Sequence, residues 1–192
     1  MIFRAVEDTD LIVRVRKGDI EAFNLLVSRW EKRVFNYLLR LAGSPDNALD
    51  LSQEVFLKAW QNIRKLDDPA RFGPWLYRIA HNEAYSLFRK RRPETALQET
   101  VQGDVNPPER FTAPAFPLEM TLAVTAALDR LTPDQREAVV LKVYEGFKFD
   151  EMAEILECPV STVKSRLYTA LDLLKLELAP ANLGVPNMGI KR

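Results

Sequence analysis

Four consecutive cations, Arg89-Lys90-Arg91-Arg92, close the stretch WLYRIAHNEAYSLFRKRR that begins at Trp75. Guanidinium and ammonium groups beside aromatic rings and amide side chains form a surface that can grip phosphates while stacking on, or hydrogen-bonding to, unpaired bases. On a helix, Leu76, Ile79, Ala80 and Leu87 fall near one stripe, whereas Tyr77, Arg78, His81, Asn82 and Tyr85 lie towards the other sides. A core helix with a solvated basic end before Pro93 fits the same residues, so this stretch alone leaves both readings open.

A second candidate lies further along, in FKFDEMAEILECPVSTVKSRLYTALDLLK. Phe149, Met152, Ala153 and Leu156 line the inside of a short helix, and Glu157-Cys158-Pro159 breaks it. Pro159 is tolerated there because N–H groups of a first helical turn have no acceptor. Val160, Val163, Leu167, Ala170, Leu171 and Leu174 give the next helix an inner face, with Thr162, Lys164, Ser165, Arg166, Tyr168 and Thr169 outward. Two short helices joined by a tight turn, with small polar and cationic groups at the front of the second, match a helix-turn-helix. Lys164 and Arg166 can reach phosphates or guanine edges, and Thr162 and Ser165 are short enough to let the helix approach bases. A helical hairpin that serves only packing is the alternative.

Catalytic chemistry has little to work with. One cysteine, Cys158, excludes an internal disulfide, and one histidine, His81, leaves too few soft ligands for a zinc site of the usual kind. No cluster offers a base, a nucleophile or a metal set, so the expectation is a protein that is not an enzyme and needs no cofactor or metal.

The elements that must position these residues read as helices throughout. Hydrophobic residues make up 47% and charged residues 28% of 192, the composition of a soluble globular protein. Asp10 to Lys17 reads as a short helix closed by Gly18-Asp19, and Phe23, Leu26, Val27, Trp30, Val34, Tyr37, Leu38 and Leu41 then recur at steps of three and four. Gly43-Ser44-Pro45 ends that helix, and Asp46 opens another with Ala48, Leu51, Val55, Ala59 and Ile63 inward. Asp67-Asp68-Pro69 breaks the pattern and Phe72-Gly73-Pro74 marks a turn before the helix from Trp75. Residues 93–117, rich in Pro, Glu, Gln and Thr, have little to bury and read as a flexible linker. Leu118, Leu122, Ala126 and Leu128 begin a second helical unit, and Thr132-Pro133-Asp134-Gln135 is a capping box for a helix running to Gly146. The tail 179–192 has no period and reads as disordered. The fold class is therefore all-α: two small helical domains, 1–92 and 118–178, the second a four-helix domain with the helix-turn-helix.

The zero net charge of the chain hides an asymmetry. Residues 1–92 carry 17 Lys/Arg against 12 Asp/Glu, whereas 118–178 carry 7 against 11. A polyanion should meet the first half first, and a net −4 second domain should hold duplex DNA weakly and with a steep salt dependence. No apolar run approaches the roughly 20 residues that span a bilayer, and MIFRAVEDTD lacks an apolar core of signal-peptide length, so a cytoplasmic protein without membrane insertion is expected.

Three stretches in order, Asp50-Leu51-Ser52-Gln53-Glu54-Val55-Phe56-Leu57-Lys58-Ala59-Trp60, Trp75-Leu76-Tyr77-Arg78-Ile79-Ala80-His81-Asn82 and Thr162-Val163-Lys164-Ser165-Arg166-Leu167, resemble bacterial sigma factors of the extracytoplasmic-function type. The likeness covers about residues 10–92 and 118–178. It implies a factor that binds RNA polymerase core and directs promoter-specific initiation by reading minus-10 and minus-35 elements and assisting strand opening. Asp50, Gln53, Glu54 and Lys58 would bind core polymerase through its beta-prime clamp helices, and the second domain would meet the beta flap. Trp75, Tyr77, Arg78, Asn82, Arg89, Lys90, Arg91 and Arg92 would bind the minus-10 strand, the 66–72 loop helping Asn82 to capture a flipped base. Thr162, Lys164, Ser165, Arg166 and Tyr168 would read the minus-35 element. Promoter DNA and an anti-sigma factor are the further implied partners.

The chain departs from the family at Ser86, where an aspartate is usual, at Lys148, the usual Ser/Thr cap, and at Glu157, the common turn glycine. Thr169 and Leu171 replace arginines, which implies a weaker minus-35 grip that the tail could partly make up. Two other functions fit an all-α chain of this kind: a stand-alone helix-turn-helix regulator acting without polymerase, which the acidic second domain argues against, and a protein scaffold whose DNA binding has decayed.

Overall fold

A computed structural model of the protein describes residues 6–91 and 118–179, so the linker expected over 93–117 and the tail beyond 179 lie outside the described residues. The described chain is all-α: α1 (Asp8–Arg16), α2 (Ile20–Ala42), α3 (Pro45–Asn62) and α4 (Phe72–Arg91) form one group, and α5 (Leu118–Asp129), α6 (Pro133–Val139), α7 (Phe149–Ile155) and α8 (Val160–Glu177) a second.

Local signals set the ends of the first group. The carboxylate of Asp19 accepts from the Ala22 amide at 3.0 Å and so fills one orphan donor at the start of α2. Those hydrogen bonds, with Arg14 beside it, hold the Asp19 carboxyl below the usual carboxylate value. Gly43, at φ +66°, closes α2 in the left-handed conformation that only glycine adopts without cost. Leu26, Val34, Tyr37, Leu38 and Leu41 line the buried side of α2, opposite Ala48, Leu51, Val55 and Ala59 of α3. Each large side chain in that stripe contributes about 1.5–3 kcal/mol through burial. Leu38→Ala would therefore cost about 2–5 kcal/mol.

Helix α4 starts at Phe72, after a 3₁₀ turn over Pro69–Arg71, and not at Trp75 as the turn residues implied. Gly73 and Pro74 lie in its first turn, where missing N–H donors are harmless. Gly73 is needed for another reason. A Cβ there would lie 2.8 Å from Cη2 of Trp30, whose ring packs edge-on against Phe72.

In the second group the Thr132 hydroxyl accepts from the Gln135 amide at 3.3 Å and the Gln135 side chain accepts from the Thr132 amide at 3.1 Å, the capping box read from sequence. Regular α-helix ends at Val139 and not near Gly146. Residues Val140–Tyr144 widen into a π turn that lets Val140 and Leu141 both point into the core. Helix α7 has Lys148 at its N-cap, and only the reciprocal half of a capping box forms: Glu151 Oε2 accepts from the Lys148 amide at 2.7 Å. Glu157 sits at φ +49°, a left-handed position that explains the family preference for glycine in this turn. Of the inner face expected for α8, Val163, Leu167 and Ala170 are buried and Leu174 is half-buried, but Val160 and Leu171 are exposed.

The two groups do not stand apart. One hydrophobic core runs through both, and Tyr77, placed outward by its helical spacing, is fully buried where they meet. Its ring packs edge-on against Phe147 at 4.8 Å and lies tilted against Tyr37 at 4.9 Å.

Candidate nucleic-acid and polymerase interfaces

Helix α3 turns Asp50 and Gln53 to solvent and leaves Glu54 half-exposed on the same side, because the buried stripe of Ala48, Leu51, Val55 and Ala59 fixes its rotation. Lys58, one turn further, is held between Glu83 Oε1 at 2.6 Å and Glu54 Oε1 at 3.6 Å. The bond to Glu83 raises the Lys58 ammonium above its usual value. Exposed Leu57 continues this side towards an open apolar groove lined by Ile20, Phe23, Phe56, Leu57 and Trp60. Phe23 belongs to the repeat expected to face inward on α2, whereas Leu57 and Trp60 fall off the inward stripe of α3.

The loop before α4 is pinned at both ends. Arg16 donates to the carbonyl of Leu66, and the Asp68 carboxylate accepts from the Ala70 amide at 2.9 Å. Beyond it, Trp75 is half-buried against Phe72 with ring centroids 5.9 Å apart, Arg78 is exposed, and Asn82 follows it one turn later, also exposed. Arg89 is exposed as well; the side chains of Lys90 and Arg91, and all of Arg92, lie outside the described residues. Of the eight residues expected to hold the minus-10 strand, α4 thus brings Trp75, Arg78, Asn82 and Arg89 to accessible positions, and it buries Tyr77.

Arg78 is occupied. Its Nε donates to Glu157 Oε1 at 2.6 Å. Around it the second group supplies further acids: Glu154 meets Arg71 at 2.6 Å, Glu145 accepts from Tyr77 at 2.5 Å and from Arg33 at 3.3 Å, and Asp134 accepts from Tyr85 at 2.5 Å. Burial, with Glu145 and Glu137 close by respectively, pushes the phenols of Tyr77 and Tyr85 far above the ordinary tyrosine value. None of these acids was singled out by the sequence reading for such a role; the only hint was the net −4 of their half of the chain.

On α8 the front is open. Lys164 and Ser165 are exposed, the Lys164 ammonium sits 5.3 Å over the Phe149 ring, and Tyr168 is 55% exposed. Thr162 is half-buried. Arg166 lies partly covered, paired to Asp134 Oδ2 at 2.6 Å. The helix-turn-helix geometry is therefore present with three of its five reader candidates, Lys164, Ser165 and Tyr168, exposed, Thr162 half-buried and Arg166 drawn back to Asp134.

The model of Sigma-70 region 2 matches residues 26–94, and that of Sigma-70 region 4 matches residues 121–174. The chain belongs to the extracytoplasmic-function group of sigma factors. It is 35% identical to the ECF RNA polymerase sigma-E factor of Haemophilus influenzae over 90% of this chain and 96% of that one. It is 32% identical to the RNA polymerase sigma-H factor of Pseudomonas aeruginosa over 91% and 95%. Among solved structures, the sigma factor RpoE of Bartonella quintana, bound to the anti-sigma factor NepR, superposes with a TM-score of 0.68 at 28% identity, covering 81% of this chain and 96% of that one. CnrH in complex with the cytosolic domain of CnrY gives 0.66 at 25% identity, covering 89% and 96%. This sigma factor accordingly works with RNA polymerase in promoter-specific initiation, and the stand-alone regulator falls away. Among the described residues no helix is long and apolar enough to cross a membrane.

Proposed function

We propose that this sigma factor docks on core polymerase through the exposed side of α3, with Asp50, Gln53 and Glu54 as its polar contacts and the Leu57–Trp60 groove as an apolar extension. A helical partner such as the beta-prime clamp helices fits that side, because carboxylates and apolar side chains alternate along it at one-turn spacing. Lys58 orders the same side by bridging Glu54 and Glu83. Asn82, Trp75, Arg78 and the Arg89–Arg92 block take the displaced minus-10 strand, the bases by stacking and hydrogen bonding and the phosphates by charge. Thr162, Lys164, Ser165, Arg166 and Tyr168 enter the minus-35 major groove, with the second domain carried by the beta flap. The domains run over 1–92 and 118–178, joined by the 93–117 linker. Mounting both on one enzyme raises the effective concentration of each at its element, which offsets the weak grip of an acidic reading domain.

The observation that carries this reading is the exposure, on one chain, of an acidic α3 side, of Asn82 on α4, and of the front of α8. The role needs no catalytic step, metal or cofactor, and its place is the cytoplasm with the polymerase. The relatives crystallised with CnrY and NepR support an anti-sigma factor as a further partner. Transcription from a genomic fragment library by purified core enzyme with this protein is the test. Promoter-dependent transcripts are expected; their absence on every fragment would end the proposal.

A further inference from the structure

Helix α1 has no part in the proposed function, and the match to Sigma-70 region 2 begins only at residue 26. Yet it braces both ends of the loop between α3 and α4. At the near end Arg16 reaches across 50 positions of the chain and donates through Nη2 to the Leu66 carbonyl. Its Nε is buried as well, with no partner among the described residues. At the far end Asp8 accepts from Trp30 Nε1 at 2.9 Å and from Arg29 at 2.7 Å, and the Trp30 ring packs edge-on against Phe72, the first residue of α4. Asp8 and Thr9 also wall a groove with Pro69, Ala70 and Pro74. Leu11, Ile12 and Val15 are buried between the two ends. The nine residues therefore act as a fixed splint about 13 Å long.

The Arg16 bond also decides what the loop shows to a ligand. No peptide bond is cis among the described residues, and in a trans peptide the C=O and N–H of one plane point opposite ways. Holding the Leu66 carbonyl towards Arg16 turns the Asp67 N–H away from α1. Leu66 is buried, with extended backbone at φ −71° and ψ 112°, whereas Asp67 and Asp68 are exposed. The Asp67 N–H has no hydrogen-bond partner among the described residues. A main-chain donor fixed in direction selects strongly, because a base edge without an acceptor at that point leaves the donor unpaired. We propose that Arg16 is a positioning residue for base selection in the minus-10 element: it holds the Leu66–Asp67 peptide so that the Asp67 N–H meets the unstacked base taken up by the 66–72 loop. This role rests on the proposed function for the presence of the melted strand. The planar guanidinium suits it, since a lysine offers one donor on a looser stem, and selection needs the loop fixed to within about 0.5 Å.

Polymerase reconstituted with the full chain tests this on a promoter recovered from the fragment library, with all four bases placed in turn at each minus-10 position and open complexes measured. At the position read by the loop, wild type should discriminate by about 5- to 150-fold, the range for one mismatched base. Arg16→Met keeps the arm but not the donor. It should bring that ratio close to one, leaving the other positions and core binding unchanged. Arg16→Lys should recover part of the ratio. Asp67→Pro removes the N–H outright, at an exposed site after a residue whose extended backbone accommodates a following proline, and should flatten the same position. Joined to Arg16→Met it should add nothing, because both act on one donor. Arg14→Met, on the same helix but paired to Asp19 at 2.8 Å, should keep the wild-type ratio. Should Arg16→Met not fold, Asp67→Pro and Arg16→Lys decide by the same ratio. The role of Arg16 is overturned if the variants keep the wild-type ratio, if they weaken every position alike, or if the two losses add. A wild-type chain that gives no promoter-dependent transcript ends the proposed function and this role with it; wild-type transcription with unchanged ratios in the variants ends this role alone.

Discussion

The phenol of Tyr37 on α2 donates a hydrogen bond to Glu137 on α6, 100 positions further along the chain. Both side chains are fully buried, so the bond ties the two groups of helices from the inside. Burial, and then the neighbouring Glu137 carboxyl, hold the Tyr37 proton well above the ordinary value of 10.0. The fold therefore favours the neutral phenol. The stability this contributes is fully present below pH 10 and is lost as pH rises beyond it, since the unfolded chain gives up the proton first.

Tyr37→Phe should cost about 1–3 kcal/mol at neutral pH, the price of leaving a buried acceptor with one partner fewer. The loss of stability above pH 10 should also become shallower than in wild type, though not vanish, because Tyr77 and Tyr85 are raised as well. Denaturant unfolding at neutral pH and above pH 10 measures both. Equal alkaline slopes for the two proteins would remove Tyr37 from the account.

Gly73→Ala should destabilise the fold by about 1–3 kcal/mol through overpacking. The new methyl meets Trp30 at 2.8 Å, and the indole cannot turn away without losing its N–H bond to Asp8 at 2.9 Å. Thermal unfolding followed by tryptophan fluorescence should show a lower midpoint; an unchanged midpoint would mean that the Trp30 ring moves freely.

Asn82→Ala should leave core polymerase binding intact and weaken open-complex formation, because the side chain is exposed on α4 and not part of α3. Permanganate footprinting of the melted bases separates the two effects. Loss of binding and melting in equal measure would count against the assigned role.

Charge reversal at Asp50 and Glu54 should abolish polymerase binding with an unchanged circular dichroism spectrum. Among the described residues this breaks the exposed Glu54–Lys58 pair, of the kind worth about 0.3–0.5 kcal/mol, and Lys58 keeps Glu83. Retained binding in a pull-down with core enzyme would move the docking site elsewhere.

The elements were legible wherever a signal is local. The spacing of Leu26, Val34, Tyr37, Leu38 and Leu41 gave α2, Gly43 its end, and Thr132 with Gln135 the start of α6, because caps and stripes act within one or two turns. The start of α4 was misplaced by three residues, since Gly73-Pro74 reads equally as a turn and as a first helical turn. The π turn at Val140–Tyr144 left no mark, because it follows from packing Val140 and Leu141 together and not from any residue preference. Among the site candidates, Asp50, Gln53, Asn82 and Lys164 lie outward as their helices predicted.

Sequence by itself determined the helices, the rotation of α3, the helix-turn-helix and the opposite charge of the two halves, all of which depend on residues near one another in the chain. Only the tertiary structure decided that those charges face each other. Tyr77 points away from the stripe of its own helix, and nothing local says that Phe147 will cover it or that Glu137 will reach Tyr37. Long-range complementarity of this kind carries no period, and it appears only when both surfaces have formed and come together.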